Sequence, residues 1–455
     1  MERAFATKTS RSRLLISGFD MHRRINTDKL SLVLFITSLL LFSFFYGFSS
    51  AYYQFFPFKP LVNAQYKVID ALPAVAERIG LLESPFKKYT SKTINKLTNN
   101  VSKGAYAGLN LVTYMGKDEE IGAKIVDMQG NVVHSWAIDW FDIWPDATHV
   151  NDEDLPKSRP GTHIHGAVVL NNGDLVFNFE HLGLVRMAKS GEVVWKLPYR
   201  THHSIHLAED GNLWVCGQIN HFEKVPRFPN YDPPFIEPTL LEVTPDGEII
   251  REISVFDLLM DNGYWGLLCM STLVNGSTNV AGDTLHLNDV EPFPPSMWEG
   301  FFKHGDVLVS LRNINTIFVF ELETGKIKYI STGKFVRQHD PDFVDGNTIS
   351  VFDNNNISSD DQKFYSRIVI VKFPQDTMEV YFQGSEEFPF FTEIMGKHQW
   401  LPNGNLLITE SLQGRAFEID KDKKLVWEYF NLIDTNEVAL MEEVQRLPRD
   451  YVTLF

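Results

Sequence analysis

From about residue 105 onward, short β-branched and aromatic runs alternate with Gly, Asn and Asp, the pattern of strands separated by tight turns. One element, a turn followed by an outgoing strand, recurs six times: "GNVVHSW" (130–136), "GEVVWKL" (191–197), "GEIIREI" (247–253), "GKIKYIS" (325–331), "DTMEVYF" (376–382) and "KKLVWEY" (423–429). A second element, strand, turn and strand, precedes five of them: "HGAVVLNNGDLVF" (165–177), "HSIHLAEDGNLWV" (203–215), "HLNDVEPF" leading to "HGDVLVSL" (286–311), "HDPDFVDGNTISVF" (339–352) and "HQWLPNGNLLI" (398–408). Their N-G, D-G and G-D/N pairs supply the positive φ that two-residue hairpin turns require.

Each unit therefore predicts two hairpins, or four strands. A single four-stranded sheet cannot bury both faces, so repeated units must stack around an axis. The expected fold is all-β, a six-bladed β-propeller over residues 105–455. A β-sandwich array is the alternative, but its modules would not share one polar residue at a fixed strand position. The first unit, near "GLNLVTYM" (108–115), lacks the histidine that heads the other five, as befits a terminal repeat.

Before the repeats the pattern differs. Leu30 to Phe58 contain no charged side chain over 29 residues, enough to cross a bilayer core that needs about 20 helical residues. Residues 1–29 carry seven Lys or Arg against three acids, so the positive-inside tendency keeps that leader cytoplasmic and exports the chain beyond the apolar run. The expected organisation is a basic cytoplasmic leader (1–29), a transmembrane anchor (30–58), a helical stalk (59–104) and the propeller on the periplasmic, extracytoplasmic side. A cleaved signal peptide is the rival reading; the long leader and long apolar run disfavour it.

Composition removes one class of partner. The net charge of −16 does not supply the basic surface that phosphate binding needs, so nucleic acid is excluded. The two cysteines, Cys216 and Cys269, do not make a disulfide framework.

The histidines change the picture most. An innermost propeller strand begins at one rim of the central channel, so the five heads, His165, His203, His286, His339 and His398, should converge on one axial pocket. Buried, unpaired imidazoles are costly and have no packing advantage over apolar groups, which points to chemistry: metal ligand, general acid or base, or nucleophile. "HIH" (163–165) and "HHSIH" (202–206) keep a Zn or Cu site, and with it a metal-dependent hydrolase, as an alternative. A non-catalytic scaffold or ligand-binding propeller is the other. Asp360 and Asp361 in "NNNISSDDQ" are weak Ca²⁺ candidates, and Trp298, Phe301, Phe302 and Trp400 are candidates for an aromatic substrate lining.

Two motifs carry a resemblance. "HLND" (His286, Asn288) is followed by a strand ending "SLR" (Ser310, Arg312), and "RQHDPDF" (Gln338, His339) is followed by "VFDNN" (Phe352, Asp353, Asn354). On these motifs, with "HHSIHLAEDGNLWV", "QGRAFEIDKDKKLVWEY" and "RLPRDY", the chain from about 105 to 455 resembles the bacterial arylsulfate sulfotransferases, nucleotide-independent enzymes on a six-bladed propeller. The resemblance implies sulfuryl transfer from an aryl sulfate to a phenolic acceptor without a cofactor. His339 would be the nucleophile and carry a sulfohistidine, with His286, His203 and Arg312 catalytic and Asn288, His398 and His165 binding substrate. The sequence lacks the cysteine pair before the Q-H strand and the N-terminal sandwich domain common in that family. His398 is a second candidate for the nucleophile.

Overall fold

The computed structural model describes residues 27–53, 56, 87–89, 104–270, 279–357, 364–435 and 437–455. They fall into two compact units, Met1–Ser84 and Pro85–Phe455. In the first, Thr27–Tyr53 is one α-helix, long and apolar enough over Ser31–Tyr53 to span a membrane. The stalk expected over 59–104 lies largely outside the described residues; where described, Lys87–Tyr89 is a strand paired antiparallel with Glu437–Ala439 rather than helix.

The second unit is a six-bladed β-propeller. Six antiparallel sheets of four principal strands succeed one another around the ring. Blades 2 to 6 take their innermost strands from Ile164–Val169, Thr201–Leu207, Leu287–Pro292, His339–Asp345 and Lys397–Trp400. In blade 3 the additional short strand Val280–Gly282 joins Tyr231–Val243 in parallel.

Blade 1 explains the missing histidine. Its innermost strand is Val444–Arg446 from the far end of the chain, paired antiparallel with Asn110–Val112. The sequence unit around 108–115 is thus the second strand of its blade, and Glu442 and Glu443, immediately before the closing strand, stand where other blades carry their heads. Arg446 fixes this closure: its Nε donates to Asn110 Oδ1 (2.7 Å), its Nη1 to the Tyr106 carbonyl, and Nη1 lies 3.1 Å from Glu418 Oε2, both charged side chains being fully buried.

Six hydrophobic clusters fill the six interfaces between blades. Val168, Val176 and Leu184 of blade 2 pack on Val215 and Leu241 of blade 3, and Leu308, Ile317 and Val319 of blade 4 on Ile349, Val351 and Val369 of blade 5. The recurrent outgoing strands lie at the rim, so Val132, Val133, Val193 and Val194 remain exposed. Because the interior of each blade is apolar on both faces, the polar heads are left to the axis. Cys216 and Cys269 are not bridged.

Candidate active site

The propeller axis is lined in layers set by strand register. The upper layer takes His165, His203, Asn288, His339, Lys397 and Glu442, one from each blade, around a cavity of about 20 Å³. The layer below takes Ala167, Ser204, Asp289, Asp340, His398 and Glu443, part of the lining of a cavity of about 270 Å³. Ser204, Asp340 and Lys397 border both cavities, with Lys397 Nζ donating to Ser204 Oγ at 3.0 Å and lying 3.2 Å from Glu443 Oε2.

Local backbone irregularity aims the upper layer. The inner hairpins of blades 2, 3 and 4 each carry a register break at the head, between Ile164 and Gly166, opposite Val215/Cys216, and between Leu287 and Asp289. Such bulges free a residue from the ladder and re-aim it. His203 (φ +56°) and His286 (φ +53°) are held in the left-handed region, which non-glycine residues adopt only under tertiary constraint. Gly166 lets two inner strands meet: a Cβ there would lie 2.2 Å from the His203 carbonyl oxygen.

Four of the five expected histidines come together. The His165 and His203 rings lie with centroids 3.8 Å apart, tilted by 40°, and the His203 centroid lies 4.9 Å from that of His286 and 6.1 Å from that of His339. His286 stands two residues before the register head of its blade, which is Asn288. His398 does not join them. The last blade runs in unbroken register at this point, so Lys397 takes the head and His398 turns into the lower cavity, where Nδ1 meets Asp340 Oδ2 at 3.1 Å and Nε2 meets Ser350 Oγ at 2.7 Å. His398 was expected with the other four at one pocket; the structure places it one residue further along, on the lower cavity.

Around His339 the hydrogen bonds fix one tautomer. Nδ1 faces two carbonyl oxygens, Asn354 Oδ1 at 2.7 Å and the Arg337 backbone at 3.1 Å; these only accept, so Nδ1 carries the proton. Nε2 is then a lone pair, and it accepts the Met395 backbone N–H at 3.2 Å. Burial first, then the Arg312 guanidinium, pushes the His339 pKa down to about 3, so the ring is neutral at ordinary pH. Asn354 is itself held by donation to the Thr392 and Met395 carbonyls. Gln338 lies under the site, its side-chain amide donating to Ser310 Oγ, Leu311 O and Thr316 O, and its backbone carbonyl accepts from Asn288 Nδ2.

His286 forms a dyad. Its Nδ1 bonds Asp283 Oδ2, its backbone N–H donates to Asp283 Oδ1 at 2.9 Å, and its Nε2 is buried with no hydrogen-bond partner among the described residues. Burial lowers the Arg312 pKa to about 10, helped by the neighbouring Arg337. Among the described residues Arg312 forms no ion pair within 4.0 Å; its guanidinium reaches only Asn313 Oδ1 at 3.5 Å. His165, His202 and His203 are all held far below the ordinary histidine value, chiefly by burial and then by neighbouring imidazoles.

Several residues were not singled out from the sequence as part of the site: Asp283, Asn354, Lys397, Glu442, Asp340, Glu180 and His181; His163 was read only as part of a candidate metal motif. Asn354 stood inside a quoted motif but read as the start of a surface loop, and Asp360 and Asp361 lie outside the described residues. The aromatic lining is not assembled. Trp298 is 90% exposed, Phe302 packs against Phe343 and Phe373, and Trp400 donates to Ser350 in the lower cavity.

Fold and site together define a class: a six-bladed propeller with imidazoles, a guanidinium and carboxamides gathered at the axis. The profile of the family described as Arylsulfotransferase (ASST) matches residues 166–432, and the chain belongs to that family. No curated protein sequence matches it. Among solved structures, similarity is found to a protein of unknown function from Bacteroides caccae (12% identity, TM-score 0.45, covering 74% of this chain and 98% of that one). It is also found to a virginiamycin B lyase from Staphylococcus aureus with quinupristin (12%, 0.33, 61% and 73%) and to the hydrazine synthase of Kuenenia stuttgartiensis (12%, 0.38, 66% and 71%).

Proposed function

We propose that the protein is a membrane-anchored aryl sulfotransferase that moves a sulfuryl group from an aryl sulfate to a phenol through a sulfohistidine at His339. The observation that carries this reading is the tautomer lock: two carbonyl acceptors on Nδ1 leave Nε2 as a neutral lone pair facing the axial cavity. In the first half-reaction Nε2 attacks sulfur as the S–O bond to the phenol breaks. The leaving phenolate takes its proton from the Asp283–His286 dyad in its protonated form, and Arg312 faces the sulfonate oxygens with Asn288. The acceptors on Nδ1 are neutral, so its proton stays; the sulfonated ring remains an imidazolium and the N–S bond remains labile. In the second half-reaction an acceptor phenol loses its proton to His286 as its oxygen takes the sulfuryl group and Nε2 is released, a two-step, ping-pong sequence.

Binding requires the Met395 N–H to leave Nε2, since the upper cavity of about 20 Å³ holds roughly one water. That small volume is also what favours the second reading, a propeller that binds without transferring. His203 borders the pocket as a further proton-handling group and His165 as part of its lining. The helix Thr27–Tyr53 anchors the propeller, residues 105–455, on the periplasmic, extracytoplasmic side, with the basic leader 1–29 in the cytoplasm.

The test is rapid mixing with a chromogenic aryl sulfate. One equivalent of phenol is expected in a burst, with a sulfated peptide containing His339, and His339→Asn should lose the burst while keeping its fold. Unchanged turnover in that variant would remove the assignment, and a wild-type protein with no burst from any aryl sulfate would favour the binding-only propeller.

A further inference from the structure

Beside the transfer site, and unused by it, His163, Glu180 and Glu442 cluster with His165. One ligand atom from each of His163, His165 and Glu180 lies within 4.8 Å of the others. His163 Nδ1 is 3.4 Å from Glu180 Oε2, His163 Nε2 is 3.4 Å from Glu442 Oε1, and His165 Nε2 is 3.7 Å from Glu442 Oε2. The His163–Glu180 separation is that of two ligands around one ion: at metal–ligand distances of 2.0–2.1 Å, the edge of a tetrahedron is about 3.4 Å.

A second observation is independent of those carboxylates. His165 is 4% exposed and, among the described residues, neither of its ring nitrogens has a hydrogen-bond partner, a costly state for a buried imidazole. Glu442 spans the Nε2 atoms of both histidines, the position of an outer carboxylate that accepts N–H and fixes ligand rings. That leaves Nδ1 of His163 facing Glu180, and Nδ1 of His165 without a hydrogen bond.

We propose that His163, His165 and Glu180 bind one divalent first-row transition-metal ion of the Zn²⁺ type, with Glu442 holding the two imidazoles from behind. Two imidazoles and a carboxylate suit Zn²⁺ over Mg²⁺ or Ca²⁺, which prefer all-oxygen shells. Glu180 is 38% exposed, so the fourth position opens toward solvent, bordered by His181, whose Nε2 is 4.0 Å from Glu180 Oε1. The proposal does not depend on sulfuryl transfer.

The full chain in detergent micelles, stripped with a chelator, is titrated with Co²⁺ and then Zn²⁺. One Co²⁺ per chain should appear with the intense visible absorption of four-coordinate cobalt and be displaced by Zn²⁺. Glu442→Gln should weaken binding by roughly 10–100-fold, and Glu180→Gln and His163→Asn by at least that, each with an unchanged far-ultraviolet dichroism spectrum. His339→Asn should bind as wild type does, which separates failure of this site from failure of the transfer reading. Absence of saturable Co²⁺ and Zn²⁺ binding at millimolar metal would overturn the proposal, as a site occupied by a proton predicts. So would one-equivalent binding that survives the Glu180→Gln/His163→Asn double substitution, most directly if Asp342→Asn removes it, which would put the ion with Asp340, Asp342 and His398 in the lower cavity.

Discussion

Replacing Asn354 by Asp tests the state of His339 more sharply than removing the histidine. The substitution keeps an oxygen at the 2.7 Å contact with Nδ1 but places a carboxylate there and loses the amide donations to Thr392 and Met395. An adjacent opposite charge raises an imidazole pKa by about 1–3 units, so His339 moves from about 3 to somewhere near 4–6. Above that range both proteins hold a neutral ring; below it only the variant protonates Nε2 and loses its nucleophile. The assay is the burst of phenol release in a single turnover, recorded from about pH 4.5 to 8. Taking the ratio of variant to wild-type burst rates cancels groups common to both. That ratio should be constant at high pH, offset by roughly 10-fold or more for the lost amide bonds, and should fall by up to another tenfold per pH unit through the acid range. A ratio independent of pH would refute the claim that Nε2 is the reacting lone pair and Nδ1 the protonated nitrogen.

The same kind of contact governs stability elsewhere in the propeller. Gly166→Ala puts a methyl group against the His203 carbonyl, so it should cost about 1–3 kcal/mol and lower the burst rate, read by urea denaturation and rapid mixing. Arg446→Ala leaves Glu418 buried without its partner at the ring closure, and a loss of about 3–5 kcal/mol in unfolding free energy is expected; a change under 1 kcal/mol would show that the closing strand holds without it. In the lower cavity, burial and then Asp340 raise the Asp289 pKa to about 7 from 3.8. A folded pKa above the unfolded one means the native state holds the extra proton, so this group costs stability progressively from about pH 4 to 7. Asp289→Asn should therefore gain stability relative to wild type as pH rises across that window, on the order of 4 kcal/mol in all, and a difference that is flat with pH would reject the buried carboxyl.

The sequence by itself determined the part of the molecule governed by local periodicity. Alternation and turn dipeptides set the hairpins, six recurrences of the outgoing strand set six blades, and 29 uncharged residues set the apolar helix, because each is a property of neighbours along the chain. The histidine heads of blades 2, 3 and 5, with His286 of blade 4, were legible for the same reason, since a fixed position in a repeat becomes a fixed position in a ring. The motif pairs of His286 with Asn288 and Gln338 with His339 pointed to the family directly.

Only the tertiary structure decided the rest. Closing the ring sends Val444–Arg446 into blade 1, so the head of that blade is written more than 300 residues from the strand it pairs with, and Glu442 had no repeat to mark it. A bulge moves a side chain from one lining of the channel to the other without altering composition, which is why His398 read as a partner of His339 and instead faces Asp340. The tautomer of His339 depends on Asn354 and the Arg337 carbonyl, and the burial that keeps it neutral comes from the surrounding blades. Register, burial and hydrogen-bond direction are relations between strands, and they exist only once the sheets have closed around the axis.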